Sequence, residues 1–161
     1  MASSQVIETL ERLVDEVGAL QSKLVLLIGP RNAGKTALLQ ALATSRGVTP
    51  LNVGAEVGSR LAGMPQRQRH LQTTLVLREL ADQHAYGDLL LLDNLELLFD
   101  RSLQLDPLDL LKRHAHAKRV VAVWPGELQG DASTGRLTYA DLGHPEHQDY
   151  SLAGVVPFQI Q

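Results

Sequence analysis

Residues 29 to 36 read Gly29-Pro30-Arg31-Asn32-Ala33-Gly34-Lys35-Thr36, two glycines separated by four residues and followed at once by an ammonium and a hydroxyl. This is a complete G-x-x-x-x-G-K-[ST] pattern. Glycines let successive backbone N–H groups converge on a phosphate, the lysine reaches the outer phosphates and the hydroxyl can ligate Mg²⁺. Gly29, Pro30, Asn32, Ala33, Gly34, Lys35 and Thr36 are therefore the candidate phosphate cradle. A second candidate is Asp93, which ends the apolar run Leu89-Leu90-Leu91-Leu92. A carboxylate at the C-terminal edge of a buried strand stands where ligands bind in open parallel sheets.

Asp93 is followed by Asn94, Leu95 and Glu96. An amide cannot act as a general base at neutral pH. Glu96 can act as a base, and it reaches the site only if the chain leaves its strand and coils directly after Asp93. Its other reading is a surface residue or the partner of a nearby arginine. Two histidine pairs, His114 with His116 and His144 with His147, do not make a metal site: Pro145 disturbs the second pair and neither has a further ligand nearby in sequence.

These side chains need elements to hold them. Leu24 to Ile28 reads as a buried strand and Thr36 to Ala43 as a helix, whose N-terminus favours phosphate through its dipole and unpaired donors. Residues 4 to 21 carry Val6, Leu10, Leu13, Val14, Val17 and Leu20 at helical spacing, with Ser3 and Ser4 as N-caps. That helix packs on the sheet or serves as a partner helix. Arg46-Gly47 stops the loop helix, Leu51-Asn52-Val53 is a second strand, and a loop or short helix runs from Val53 to Met64. A helix is expected from Gln66 to Ala85, with Leu71, Leu75, Leu77 and Leu80 inward. Arg60, Arg67, Arg69 and Arg78 make this region either a solvated face or a basic edge for phosphate, nucleic acid or an acidic neighbour. Asp106-Pro107 begins a helix that ends near Lys112-Arg113-His114. Arg119 to Trp124 is a strand closed by Pro125-Gly126, and Arg136 to Ala140 is expected as the fifth strand.

With 161 residues the chain suits one domain. Its expected parts are the helix at 4–21, a core over 23–140 and an irregular tail over 141–161. A net charge of −3 argues against a generally basic nucleic-acid binder. The absence of cysteine suits a reducing cytoplasm. No signal pattern opens the chain, and no apolar run approaches the ~20 residues that span a bilayer. A cytoplasmic protein without membrane contact is expected.

The loop and the Asp93 strand resemble the Walker A and Walker B elements of P-loop nucleotide triphosphatases. The extra strand between them resembles the AAA+ and RecA-like (ASCE) division. That resemblance implies an α/β fold, with a parallel five-stranded sheet in the order 5-1-4-3-2 flanked by helices, and ATP with Mg²⁺ as ligands, the Mg²⁺ held by Thr36 and Asp93. The chain departs from the AAA+ pattern in three places. Asn94 stands where many members carry a catalytic glutamate, so that either Glu96 activates water or hydrolysis is slow; Trp124 stands where a polar sensor residue is usual, and no helical period follows Gly126 to make a C-terminal lid. Something else must then cover the nucleotide, such as a second copy or a partner inserting an arginine. Arg101, just beyond the Asp93 segment, and Arg136, just before the expected fifth strand, are the candidates.

The segments LVLLIGPRNAGKTALLQ, LNVG, LLLLDNLELLFD, DPLDLLK, VVAVWPGE and LTYADLGHPEHQDY together resemble the BrxF family, small P-loop proteins of type 3 BREX phage-defence systems. Membership implies partner subunits including a methyltransferase, a large ATPase and a phosphatase-like protein, with any DNA contact indirect. The expected function is an ATP-binding, ATP-hydrolysing, homo-oligomeric subunit of such a complex. Two alternatives stay open, a non-hydrolysing nucleotide-gated scaffold and a small-molecule kinase whose lid would be the Arg60 to Arg78 segment. No Asn-Lys-x-Asp element is present to read guanine.

Overall fold

A computed structural model describes residues 4–30, 32–130, 135–139 and 148–160. In chain order they form α1 (Ser4–Val17), β1 (Leu24–Ile28), α2 (Lys35–Arg46), β2 (Leu51–Asn52), α3 (Val53–Ala62), α4 (Gln66–His84) and β3 (Leu89–Asp93). Two 3₁₀ helices follow, Leu95–Phe99 and Arg101–Leu103. Then come α5 (Pro107–Ala117), β4 (Arg119–Val123), β5 (Glu127–Gln129), β6 (Arg136–Tyr139), β7 (Gln148–Ser151) and β8 (Val156–Gln159).

The apolar runs of β1, β3 and β4 are buried along nearly their whole length, as strands covered on both faces must be. All pairings in their sheet are parallel, in the order β2-β3-β4-β1-β8. Successive side chains point to opposite faces. Val25, Leu27, Leu89, Leu91, Val121 and Val123 join α1 and α2 in one core, while Leu24, Leu26, Leu90, Leu92, Val120 and Ala122 join α3, α4 and α5 in the other. The result is an α/β fold with a five-stranded parallel sheet between helical layers.

The fifth strand is not where the sequence suggested. Residues 136–139 form β6, the middle strand of a separate antiparallel sheet β5-β6-β7, and the parallel sheet is completed by β8. With β8 as the fifth strand, the expected order 5-1-4-3-2 holds. The region read as an irregular tail therefore supplies two strands, and the core reaches well past residue 140. Pro157 hides β8 in the sequence, because proline lacks a ladder donor; at an edge, where among the described residues β8 pairs only with β1, that is tolerated.

Other differences are smaller. The N-terminal helix ends at Val17, and Leu20 lies half exposed beyond it. Residues 53–62 are helical, capped by the Asn52 side chain. Gly47, left-handed at φ 67°, stops α2 as expected, with N–H bonds from Gly47 to Thr44 and from Val48 to Ala43. Asp106 caps α5 through the Asp109 amide, but that helix runs on to Ala117. On α4, Leu71 and Leu75 are exposed, at 69% and 46%, and the inward face is Thr73, Val76, Leu77, Leu80 and Ala81. Thr73 can occupy that face because its hydroxyl donates to the Arg69 carbonyl at 2.6 Å and so is not buried unpaired.

Candidate functional site

After β1 the chain turns sharply, with the Ala33 N–H donating to the Pro30 carbonyl at 3.1 Å. Asn32 and Gly34 both take left-handed φ, at 68° and 89°. The curl expected of two glycines is thus made by Asn32 and Gly34, asparagine being the non-glycine residue that best tolerates this region. Arg31 lies outside the described residues. Gly34 is also the N-cap of α2 and brings no capping side chain, so the helix's positive end is left available to an anion.

The fold brings the two distant halves of the expected site together. The Thr36 hydroxyl donates to Asp93 Oδ1 at 3.3 Å, across 57 positions of sequence. The same carboxylate oxygen accepts the Asn94 N–H at 2.8 Å, which fixes its orientation at the strand end. Lys35 Nζ donates to the backbone carbonyl of Trp124 at 2.9 Å, at the C-terminal end of β4. A hydroxyl, a carboxylate, a lysine and a helix N-terminus therefore converge where β1, β3 and β4 end. Mg²⁺ typically takes only one or two protein oxygens and fills its octahedron with phosphates and water, so Thr36 and Asp93 are a sufficient donor set. Among the described residues no group of three or more His, Asp or Glu side chains could hold a metal by themselves.

Asn94 is left-handed, at φ 60°, and held from two sides. Its Nδ2 donates to Asn52 Oδ1 at 3.0 Å, and its carbonyl accepts the Gly54 N–H at 3.0 Å. Asn52 Oδ1 also caps α3 through the Ala55 N–H, at 3.0 Å. Asn94 thereby ties the end of β3 to the β2–α3 junction. The chain coils immediately beyond it, the condition Glu96 needed to approach the site. Glu96 lies exposed on the first turn of the 3₁₀ helix and makes no ion pair or hydrogen bond among the described residues.

The two candidate arginines fall in different places. Arg101 is exposed on the second 3₁₀ helix and lines a cavity of about 130 Å³ together with Phe99, Gln104, Pro107 and Tyr150. Arg136 is exposed at the start of β6, in the antiparallel sheet, so it does not precede the fifth parallel strand and the reason for naming it is lost. Of the α3–α4 arginines, Arg60 of α3 pairs with Glu79 of α4 at 2.9 Å, and Arg69 of α4 bonds the carbonyl of Met64, in the turn between the two helices, at 3.3 Å, so both bonds tie α3 to α4. His114 and His116 lie on the last turn of α5, and burial, then Lys118, holds His114 below the usual histidine range. His144 and His147 lie outside the described residues.

Three features were not read from the sequence: Asn52, the Trp124 carbonyl and an aromatic cluster. Asn52 lies in the expected strand Leu51-Asn52-Val53, but only the register of β2 against β3 sets it opposite Asp93. The cluster had no signal in the sequence, because it gathers Phe99, Tyr139 and Tyr150 from three elements and Trp124 from the end of β4. Phe99 stacks on Tyr139 at 4.0 Å, and Trp124 meets Phe99 and Tyr150 edge-on at 5.3 and 5.5 Å. No protein-family model matches the chain, and no curated protein matches it.

Proposed function

We propose that the chain binds Mg·ATP at the Gly29–Thr36 loop and hydrolyses it slowly, as a P-loop ATPase of the ASCE/AAA+ type. Support comes above all from one observation, the meeting of Thr36 Oγ1 with Asp93 Oδ1 beside the start of α2. In this reading the loop and Lys35 hold the phosphates, and Thr36 with Asp93 hold Mg²⁺. Bound Mg²⁺ would neutralise developing phosphate charge. Glu96 is the proposed water-activating base, and Arg101 of a neighbouring copy or partner the proposed arginine supplied in trans. The residue pattern further supports a BrxF-like subunit of a BREX-type anti-phage complex, cytoplasmic and associating with copies of itself and with other subunits of that complex.

A specific observation favours the second reading, a nucleotide-gated scaffold that does not hydrolyse. The position directly after Asp93 is taken by an amide that is already bonded to Asn52. Mg·ATP at one hundred times its dissociation constant should stabilise the fold by about 2.7 kcal/mol, read as a thermal shift. Lys35→Ala should lose that shift; an unchanged shift overturns the assignment of Lys35 to phosphate. Phosphate release then separates the two readings. The ATPase should turn over well below the ~1–100 s⁻¹ typical of kinases, and Glu96→Gln should slow it further without loss of binding. Binding without turnover at any protein concentration leaves the scaffold.

A further inference from the structure

Trp124 connects the loop to the antiparallel sheet. Its carbonyl accepts the Lys35 ammonium at 2.9 Å, while its indole Nε1–H donates to the Thr138 carbonyl of β6 at 3.0 Å. Its N–H is held by Leu27 of β1 at 3.0 Å, and the side chain is fully buried. Two residues on, Gly126 lies so close to the Thr138 carbonyl that a β-carbon there would overlap it. The Trp124 ring also packs edge-on against Tyr150 of β7, and against Phe99, on which Tyr139 of β6 stacks. A single residue thus carries the loop lysine on its main chain and the second sheet on its side chain.

We propose that the β5-β6-β7 sheet senses whether the loop is occupied, and that Trp124 is the relay. The inference rests on the nucleotide reading above. A lysine on a peptide carbonyl is a charge–dipole contact, whereas a lysine on a triphosphate is a contact between full charges, so an incoming triphosphate draws Nζ away from Trp124. Nucleotide therefore interacts differently with the two arrangements, which is the requirement for any ligand to shift a conformational equilibrium. The residue that anchors β6 loses a charged donor from its carbonyl, and its hold on the Thr138 carbonyl and on the aromatic cluster is redistributed. The surface that changes is that of β5, β6 and β7, where a partner can read the nucleotide state without touching the loop.

Trp124 is the only tryptophan in the chain, so its emission reports on this residue alone. The intact chain is titrated with Mg·ATP while binding is measured independently by calorimetry and amide exchange is followed in β5, β6 and β7. The expected result is an emission shift that saturates with the calorimetric midpoint, and exchange in these strands altered ~10-fold, the scale of one charge-assisted hydrogen bond. Lys35→Met should show, without nucleotide, the emission and exchange of the ATP-loaded wild type. Calorimetric binding with unchanged emission and exchange overturns the relay and leaves the nucleotide site standing. A Lys35→Met variant, folded by circular dichroism, that keeps the wild-type nucleotide-free signals also overturns it. Absence of calorimetric binding overturns the nucleotide site itself, and the relay with it.

Discussion

The carbonyl oxygen of Ile160 lies 2.6 Å from the point where a β-carbon on Gly29 would stand. The Ile160 N–H donates to the Ile28 carbonyl at 2.7 Å, so the end of β8 is clamped against the first turn of the loop. The first glycine of the phosphate pattern is thus required by packing as well as by any ligand.

The two loop glycines should accordingly fail in different ways. Gly29→Ala forces backbone apart and should lower stability by ~1–3 kcal/mol without nucleotide, as overpacking does. At Gly34 a β-carbon meets nothing within 4 Å, but the residue is left-handed at φ 89°, so Gly34→Ala should cost about 1–2 kcal/mol in strain alone. Urea denaturation combined with amide exchange distinguishes them, since only Gly29→Ala should loosen β8. Equal protection of β8 in both variants would contradict the clamp.

Asn52 and Asn94 should behave as one unit. Asn94→Ala loses a bond and places alanine at φ 60°, and Asn52→Ala loses that bond and the cap of α3, each for about 1–2 kcal/mol. Because they share an interaction, the double variant should cost less than the sum. Strict additivity in a denaturation cycle would show that the bond contributes nothing.

Tyr150 should make the protein sensitive to alkali. Burial first, then Asp106 and Tyr139, push its hydroxyl up to about 12 from an ordinary value of 10.0. The folded state holds this proton more tightly than the unfolded chain does, so the contribution is whole below pH 10.0 and is lost as pH rises through about 12. Tyr150→Phe should be less stable-pH-dependent than wild type across that window when urea midpoints are compared. Parallel curves would place the ionisation elsewhere.

On α4, leucines of the same type should give opposite results. Leu77 is fully buried and Leu77→Ala should cost ~2–5 kcal/mol, whereas Leu71 is 69% exposed and Leu71→Gln should stay within about 0.5 kcal/mol. A large loss at Leu71 in the isolated protein would mean that this face is covered by a second copy.

Much was decided locally and could be read in order along the chain. The apolar runs at Leu24, Leu89 and Val120 are strands in any context that buries both faces. Gly29 to Thr36 carries its pattern in consecutive residues, and Asp106-Pro107 and Gly47 cap helices through bonds to near neighbours. Apolar runs and periodicity therefore determined the α/β class and the strand sequence up to β4, while the loop motif and the resemblance to P-loop proteins supplied the candidate pair Thr36 and Asp93.

What the tertiary structure alone decided is non-local. Alternation in Arg136–Tyr139 reads the same whichever sheet accepts it, and its place beside β5 and β7 was settled by pairing, while Pro157 masked the strand that closes the parallel sheet. The α4 face turned because Thr73 could satisfy its hydroxyl on its own helix and sit inside, leaving Leu71 and Leu75 outside. The Lys35–Trp124 and Asn52–Asn94 bonds span 89 and 42 positions. Periodicity reports which face of an element is apolar, not which distant backbone will stand opposite it, so these contacts exist only once strand order and register bring the sheet's C-terminal ends together.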